Sequence, residues 1–237
     1  MQVVVDSLIE GARRARGAVV IIDVFRAFTT AAVALANGAE RVVMVSDVDQ
    51  ALALRERGVG QLCMGEVEGT PPEGFDHGNS PYAISMLDLS GRTVIQRTSA
   101  GTQGIVAASG ADRLFAGALV TASACARVMK DSASDRASVV AMGKNGVVRT
   151  DEDELCALHL RNLLEGRPGA PEAVKAAILA GSEAARFLRA DGRDAHPEDL
   201  AIALDIDRYD FAIEVRMNNG LAGAYRVAVD GPGLSRA

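Results

Sequence analysis

The run Ala18-Val19-Val20-Ile21-Ile22, closed by Asp23, constrains the fold of this chain more than any other stretch. A strand with one wet face alternates polar and apolar residues, whereas a strand covered on both faces reads as a continuous aliphatic run. Residues 18–24 therefore predict a strand inside a sheet with layers on either side. The Ala-rich segment 26–38 reads as the helix that follows it, closed by Asn37-Gly38. A strand over 41–45 and a helix starting near Asp47 and ending at Gly58 complete a βαβα opening.

The same alternation continues along the chain. A short apolar piece over 62–65 precedes a loop of about fifteen residues, and loops of that length in compact domains are usually functional or disordered. Ser80-Pro81 opens a helix with Ser as N-cap and Pro at the first helical position. Further strands are expected over 92–98, 113–117 and 136–142. The helices between and after them fall over 105–109, behind the turn 99–104, and over 121–132. Thr150 caps a helix over 151–164, whose acidic first turn suits the positive helix end. The pattern over 171–205 is helical. Residues 211–217 and 222–230 read as a two-strand ribbon, taken as an interface or a sheet edge. The alternation predicts a layered α/β/α fold with a largely parallel or mixed central sheet. It is read as one domain over 1–237, with sub-lobes near 1–120 and 121–237 if two α/β halves are fused.

Composition narrows the function. A chain of 237 residues with 49% hydrophobic content, 4% aromatics and no Trp can bury one large aliphatic core or two small ones. A net charge of −6 lacks the clustered Lys and Arg of a nucleic-acid binder. Cys63, Cys125 and Cys156 are odd in number and form no CxxC, which points to a reducing compartment rather than a disulfide framework. Charge interrupts every apolar run before the roughly 18 residues of a membrane helix. The expectation is a cytoplasmic protein, with a homodimer as the default assembly.

Polar residues gather at the ends of the expected strands: Asp23 and Arg26, Glu66 and Glu68, residues 98–102, and Lys144 with Asn145. Ligands of open α/β sheets bind at the carboxyl ends of the strands, so these groups are expected to face one pocket. Each has a plainer reading. Asp23 could cap the next helix or pair with Arg26. "TSAGTQG" (98–104) offers hydroxyls and N–H groups at a helix start, where anions bind, yet it lacks the P-loop Lys and the full GxGxxG pattern. "GFDHGNSP" (74–81) supplies Asp76, His77, Asn79 and Ser80, which surface turns also favour. His77 could act as a general acid or base or stand by in its loop, while His159 and His196 read as structural. The chain has no GxSxG elbow, no HExxH, no Cys with Arg six positions on, and no second Asp beside Asp23.

Four blocks carry a resemblance: "VVIIDVFRAFTTAAVALANGAERVVMV", "MGEVEGTPPEGFDHGNSP", "GRTVIQRTSAGTQGI" and "GKNGVVRTDEDELCALHLRNLLEG". In order and spacing, from about Val19 to Gly166, the chain resembles the 2-phosphosulfolactate phosphatases, Mg²⁺-dependent enzymes of coenzyme M biosynthesis. The resemblance implies an α/β fold, a magnesium ion, and hydrolysis of (R)-2-phospho-3-sulfolactate to 3-sulfolactate and phosphate. Ala100 stands where the family often has Asn before Gly101, Phe25 replaces the more usual Leu, and His77 replaces an apolar or aromatic residue.

Joined to the chemistry of a multiply charged phosphoester, the resemblance assigns roles. Mg²⁺ takes oxygen ligands, for which Asp23, Glu66 and Asp76 are the candidates. Arg26 and Arg97 are assigned to the phosphate or sulfonate, and Ser99, Gly101 and Thr102 to a phosphate cradle. Lys144 and Asn145 are assigned to the far end of the substrate, Glu68 and Asn79 to orienting or activating a water. The expected reaction is in-line attack by a metal-activated water, with a covalent route through Asp23 as its rival. Two other readings stay open: a phosphatase of another phosphorylated hydroxy acid, and an anion-binding module without turnover.

Overall fold

The computed structural model describes residues 1–188 and 196–229, apart from the side chain of Leu188. Residues 189–195 of the expected helical run and Asp230 of the expected ribbon lie outside the described residues. The elements in chain order are β1 (Gln2–Ser7), α1 (Leu8–Arg14), β2 (Gly17–Ile22), α2 (Ala27–Ala36), β3 (Arg41–Val45), α3 (Val48–Glu56), β4 (Leu62–Gly65), α4 (Pro81–Ser85), β5 (Thr93–Arg97) and α5 (Gly101–Ala107). There follow β6 (Ala111–Gly117), a 3₁₀ turn (Leu119–Thr121), α6 (Ala122–Lys130), β7 (Arg136–Ala141), α7 (Asp151–Leu164), α8 (Pro171–Leu179), α9 (Ser182–Leu188), α10 (Pro197–Ala203), β8 (Phe211–Asn218) and β9 (Leu221–Ala228).

The nine strands of the described residues form one mixed sheet in the order β1-β7-β2-β6-β8-β9-β3-β5-β4. It contains two parallel blocks, β1-β7-β2-β6 and β3-β5-β4. The β8–β9 hairpin joins them, pairing antiparallel with β6 on one side and with β3 on the other. The C-terminal ribbon is therefore the centre of the sheet, not an edge. Its sequence gave the hairpin away through the Asn219-Gly220 turn, where Asn219 has φ +50°, but not the partners.

Because three antiparallel steps separate the blocks, their strands point in opposite senses within the sheet. Twist corrects this. Six inter-strand steps lie between β2 and β4, and at about 20–25° each they rotate β4 against β2 by on the order of 120–150°. The pocket described below takes residues from the carboxyl ends of both blocks, an arrangement that a rotation of that size allows.

Helices cover both faces. On one, α2 lies against β2, β3, β5, β6, β8 and β9 in a single aliphatic cluster that also includes Ile84 of α4 and Ile105 of α5. Residues Ala27 through Leu35 are all buried, as expected of a helix that is apolar all round. On the other face α6 to α10 pack over β2, β6, β7 and β8, and α3 packs over β3, β4 and β5. The expected N-cap forms at Ser80, which accepts from the Ala83 N–H, and α3 starts where expected, with Asp47 capping it by accepting from the Gln50 N–H. Thr150 occupies the N-cap position of α7 without making a side-chain cap. Helix α5 starts at Gly101, earlier than expected, and β1 with α1 had no counterpart in the sequence reading. Gly65 ends β4 at φ +139°, where a Cβ would lie 1.9 Å from the Arg97 carbonyl oxygen. Only glycine lets β4 and β5 finish this close together.

Candidate active site

A pocket of about 380 Å³ opens at the carboxyl ends of β2, β4, β5 and β7, a size suited to a small metabolite. Its walls carry six carboxylates, Asp23, Glu66, Glu68, Glu152, Asp153 and Glu183, and three cations, Arg26, Lys144 and Arg186; Phe25, Asn79, Ser99, Ala100, Asn145 and Thr150 also line it.

Asp23 follows β2 and is buried, its Oδ1 accepting the Ala27 N–H at 3.0 Å. Burial, with the Glu66 carboxylate adding to it, pushes its carboxyl up to about 6 against the opposing backbone bond from Ala27. Gly101 packs against it, and a Cβ there would come within 2.9 Å of Asp23 Oδ2. Glu66 follows β4 and shapes the loops. Its Oε1 accepts the Ser99 N–H at 2.6 Å, and its Oε2 accepts the Gly69 N–H at 2.6 Å and the Ser99 hydroxyl at 3.1 Å.

The first turn of α7 supplies the residues that the sequence reading missed. Asp153 is 2% exposed, accepting the Val24 N–H and the Gly143 N–H at 2.8 Å each, so one carboxyl ties the ends of β2 and β7 together. Burial first, then repulsion from Asp23 and Glu152, raises its carboxyl well above the usual range. Burial likewise pushes Glu152 up to about 7, against its own backbone N–H and the neighbouring Thr150 hydroxyl and with Glu183 and Asp23 adding to the rise. "DEDE" had been read only as a complement to the helix dipole. The 3–4 residue spacing that places Asp153 on one face with the buried Cys156, Ala157 and Leu160 was the available signal.

The cations enter from two directions. Lys144 and Asn145 sit on a tight loop closed by reciprocal Lys144–Val148 backbone bonds, with Asn145 at φ +53°. Arg26, 8% exposed, donates from Nη1 to Asp199 Oδ2 at 2.8 Å. Its guanidinium lies 5.7 Å from the Phe187 ring centroid, and that of Arg186 lies 5.4 Å from the same ring. Glu183, Arg186 and Asp199 belong to the C-terminal helices, which the sequence reading left without a role.

Among the residues singled out from sequence, the structure brings Asp23, Arg26, Glu66, Glu68, Asn79, Ser99, Lys144 and Asn145 to this pocket. Four others stand outside its lining. Asp76 accepts from Arg55 and from the Cys63 N–H, both at 2.8 Å, and staples the loop to α3 and β4, with the Arg55 guanidinium beside its charge. Arg97 donates to the carbonyls of Ser46 and Glu66, bracing strand ends. Thr102 is fully buried and bonds to Thr98. Gly101 is present only as backbone beside Asp23, at the head of a seven-residue helix. His77 also lies off the pocket, its carbonyl accepting the Gly65 N–H.

The expected ligand trio is therefore not assembled, and among the described residues no group of three His, Cys, Asp or Glu side chains is arranged to hold a metal ion. Six carboxylates around three cations, three of the carboxylates raised by crowding and burial, fit an ion that takes one or two protein carboxylates and fills its shell with waters and substrate oxygens. That is the habit of Mg²⁺.

A three-layer α/β scaffold whose strand-end pocket sets buried carboxylates beside a guanidinium and an ammonium group defines an enzyme for phosphoryl chemistry on a small anion. The chain belongs to the 2-phosphosulpholactate phosphatase family, a group of phosphoric monoester hydrolases, whose model matches residues 4–217. A probable 2-phosphosulfolactate phosphatase of Bacillus subtilis is 28% identical over 214 residues, covering 89% of this chain and 92% of the relative. One of Deinococcus radiodurans is 33% identical over 79% of the chain and 80% of its own length. One of Carboxydothermus hydrogenoformans is 43% identical over 109 residues, 46% of the chain and 45% of the relative. Among the described residues no helix is long and apolar enough to cross a membrane.

Proposed function

We propose that the chain hydrolyses (R)-2-phospho-3-sulfolactate to 3-sulfolactate and phosphate with the help of Mg²⁺, in the pathway to coenzyme M. The observation that carries the reading is the pairing, in one pocket, of the buried carboxylates Asp23 and Glu152 with a buried guanidinium, Arg26. Asp23 and Glu152 would hold the ion, since both carboxylates are buried in the lining of the pocket and repel each other. When bound there, Mg²⁺ supplies a Lewis acid that draws charge from phosphoryl oxygens and acidifies water.

The chain's own groups do the rest. Arg26 binds the phosphate oxygens by charge-assisted hydrogen bonds. Lys144 and Asn145, on the opposite loop, receive the sulfonate and carboxylate. Glu68 and Asn79 orient a water in line with the scissile P–O bond; its oxygen bonds to phosphorus as the bond from phosphorus to the C2 oxygen breaks, the water's proton passes to the Glu68 carboxylate, and the leaving oxygen takes a proton from solvent. Glu66 and Asp153 touch no substrate in this scheme and keep the four strand ends in register.

The test is phosphate release from racemic 2-phospho-3-sulfolactate with Mg²⁺ and with EDTA, beside phospholactate and phosphoglycerate. Fast, EDTA-sensitive release from the sulfonate ester is expected, together with a loss of about 10²–10³ in kcat/KM for Arg26→Ala. Release from the other esters alone would overturn the substrate, and release insensitive to EDTA would overturn the metal.

A further inference from the structure

Asp199 does not line the pocket, yet its carboxylate accepts hydrogen bonds from four different residues. It is 0% exposed. Its Oδ1 accepts the Ser80 hydroxyl at 2.6 Å and the Tyr82 N–H at 3.0 Å, and its Oδ2 accepts Arg26 Nη1 at 2.8 Å and the His196 N–H at 3.1 Å. Among the described residues, Arg26–Asp199 is the one ion pair in which both side chains are buried. Three of the four donors come from the starts of two helices: Ser80 and Tyr82 at α4, and the N-cap His196 at α10. Helix starts favour a carboxylate, so Asp199 is fixed from both sides before the arginine reaches it.

We propose that Asp199 is the positioning residue of the active site, holding the Arg26 guanidinium in the orientation that meets the phosphate. An arginine side chain has many rotamers, and guanidinium binding of phosphate depends on the plane of the fork. The Nη1–Oδ2 contact engages one N–H of the fork and narrows the orientations that its plane can take. The Phe187 ring flanks the same guanidinium, but a ring face restrains distance more than direction. The carboxylate supplies the direction. Helix α10 thus acts on the chemistry without touching substrate, which gives the C-terminal part of the chain a role in the reaction. The signal in the sequence is an acid at position 199 on the same helix face as the buried Leu200 and Ala203.

The proposal rests on the reading of Arg26 as the phosphate-binding group, and the test separates the two. Asp199→Asn, Arg26→Ala and the double variant are compared with wild type by kcat/KM for phosphate release from 2-phospho-3-sulfolactate. Affinity for inorganic phosphate is measured by calorimetry and the melting temperature by circular dichroism. Asp199→Asn is expected to lower kcat/KM about 100-fold, the cost typical of a misplaced binding group. In the Arg26→Ala background the same change is expected to cost less than about threefold, because there is no guanidinium left to misplace. Phosphate affinity should follow the same non-additive pattern. An equal factor in both backgrounds would mean that Asp199 serves the fold alone, and would overturn the proposal, as would an unchanged kcat/KM. If Asp199→Asn does not fold, Ser80→Ala, which strips one anchor from the carboxylate and leaves its charge, takes its place in the cycle with the same non-additivity expected. Wild-type protein that neither turns over an ester nor binds phosphate would overturn the reading of Arg26 and this proposal with it. Turnover with an additive cycle would remove only the role of Asp199.

Discussion

Asp153 gives the sharpest test of how the site is held together. Asp153→Ala leaves two buried donors, the N–H groups of Val24 and Gly143, without acceptors. Each stranded donor costs about 1–3 kcal/mol, so the loss lies at about 2–6 kcal/mol. An offset exists, because burial and repulsion from Asp23 and Glu152 already make the Asp153 carboxyl costly to ionise, and alanine removes that repulsion. The lower half of the range, about 3 kcal/mol, is therefore expected. For a chain of this length 1 kcal/mol corresponds to about 2–4 °C, so the melting temperature should fall by about 6–12 °C. Asp153→Asn keeps one acceptor and turns an amide donor toward the other N–H, so it should fall between wild type and alanine. The assay is scanning calorimetry at neutral pH, repeated as urea unfolding. A melting temperature for Asp153→Ala within about 2 °C of wild type, or an Asn variant less stable than the Ala variant, would refute the view that this carboxyl clamps β2 to β7.

Other outcomes follow from the same geometry. The Glu152 carboxyl, raised to about 7 from an ordinary 4.5, contributes stability that is present at low pH and lost as pH rises through 7. EDTA-treated wild type should thus gain about 2 kcal/mol over Glu152→Gln between pH 8 and pH 5.5, measured by urea unfolding; parallel pH curves would contradict the raised value. Asp76→Asn, outside the pocket and paired with Arg55, should change stability by less than about 1 kcal/mol and leave Mg²⁺-dependent turnover intact, whereas a collapse of metal dependence would return Asp76 to the site. Gly65→Ala must place a Cβ against the Arg97 carbonyl, a backbone atom that cannot swing away. A loss of at least about 3 kcal/mol is expected, and a variant that melts like wild type would show that β4 can shift.

The alternation of strands and helices was legible because both periods are local. Residues 18–22 announced a doubly covered strand, and Asp47 and Ser80 announced helix starts, each through a bond made within three residues of itself. The strand-end residues Asp23, Glu66, Ser99 and Lys144 were legible for a related reason, since the carboxyl ends of parallel strands are where a layered sheet leaves room for a ligand. Residues whose partners are distant in sequence were not legible. Asp153 bonds across 129 residues to Val24, and Asp199 across 173 to Arg26. Conversely Asp76 and Arg97, polar residues in a promising context, are taken up by Arg55 and by two carbonyls that no local pattern reveals. The β8–β9 hairpin showed itself as a hairpin, but its insertion between β6 and β3 is a property of the assembled sheet.

That insertion has a consequence for biosynthesis. Ribosomes deliver the chain in order, so residues 41–45 and 111–117 emerge with their inner edges unpaired, and the strands that fill the gap between them, residues 211–228, arrive nearly a hundred residues after the later of the two. Until then each half exposes an open strand edge, a template for pairing with another nascent chain. The halves cannot be brought to their final twist, nor the catalytic groups to their final spacing, while synthesis is under way. The enzyme becomes competent in a late, long-range step, and its yield in a cell should depend on how well chaperones shield those two edges during the wait.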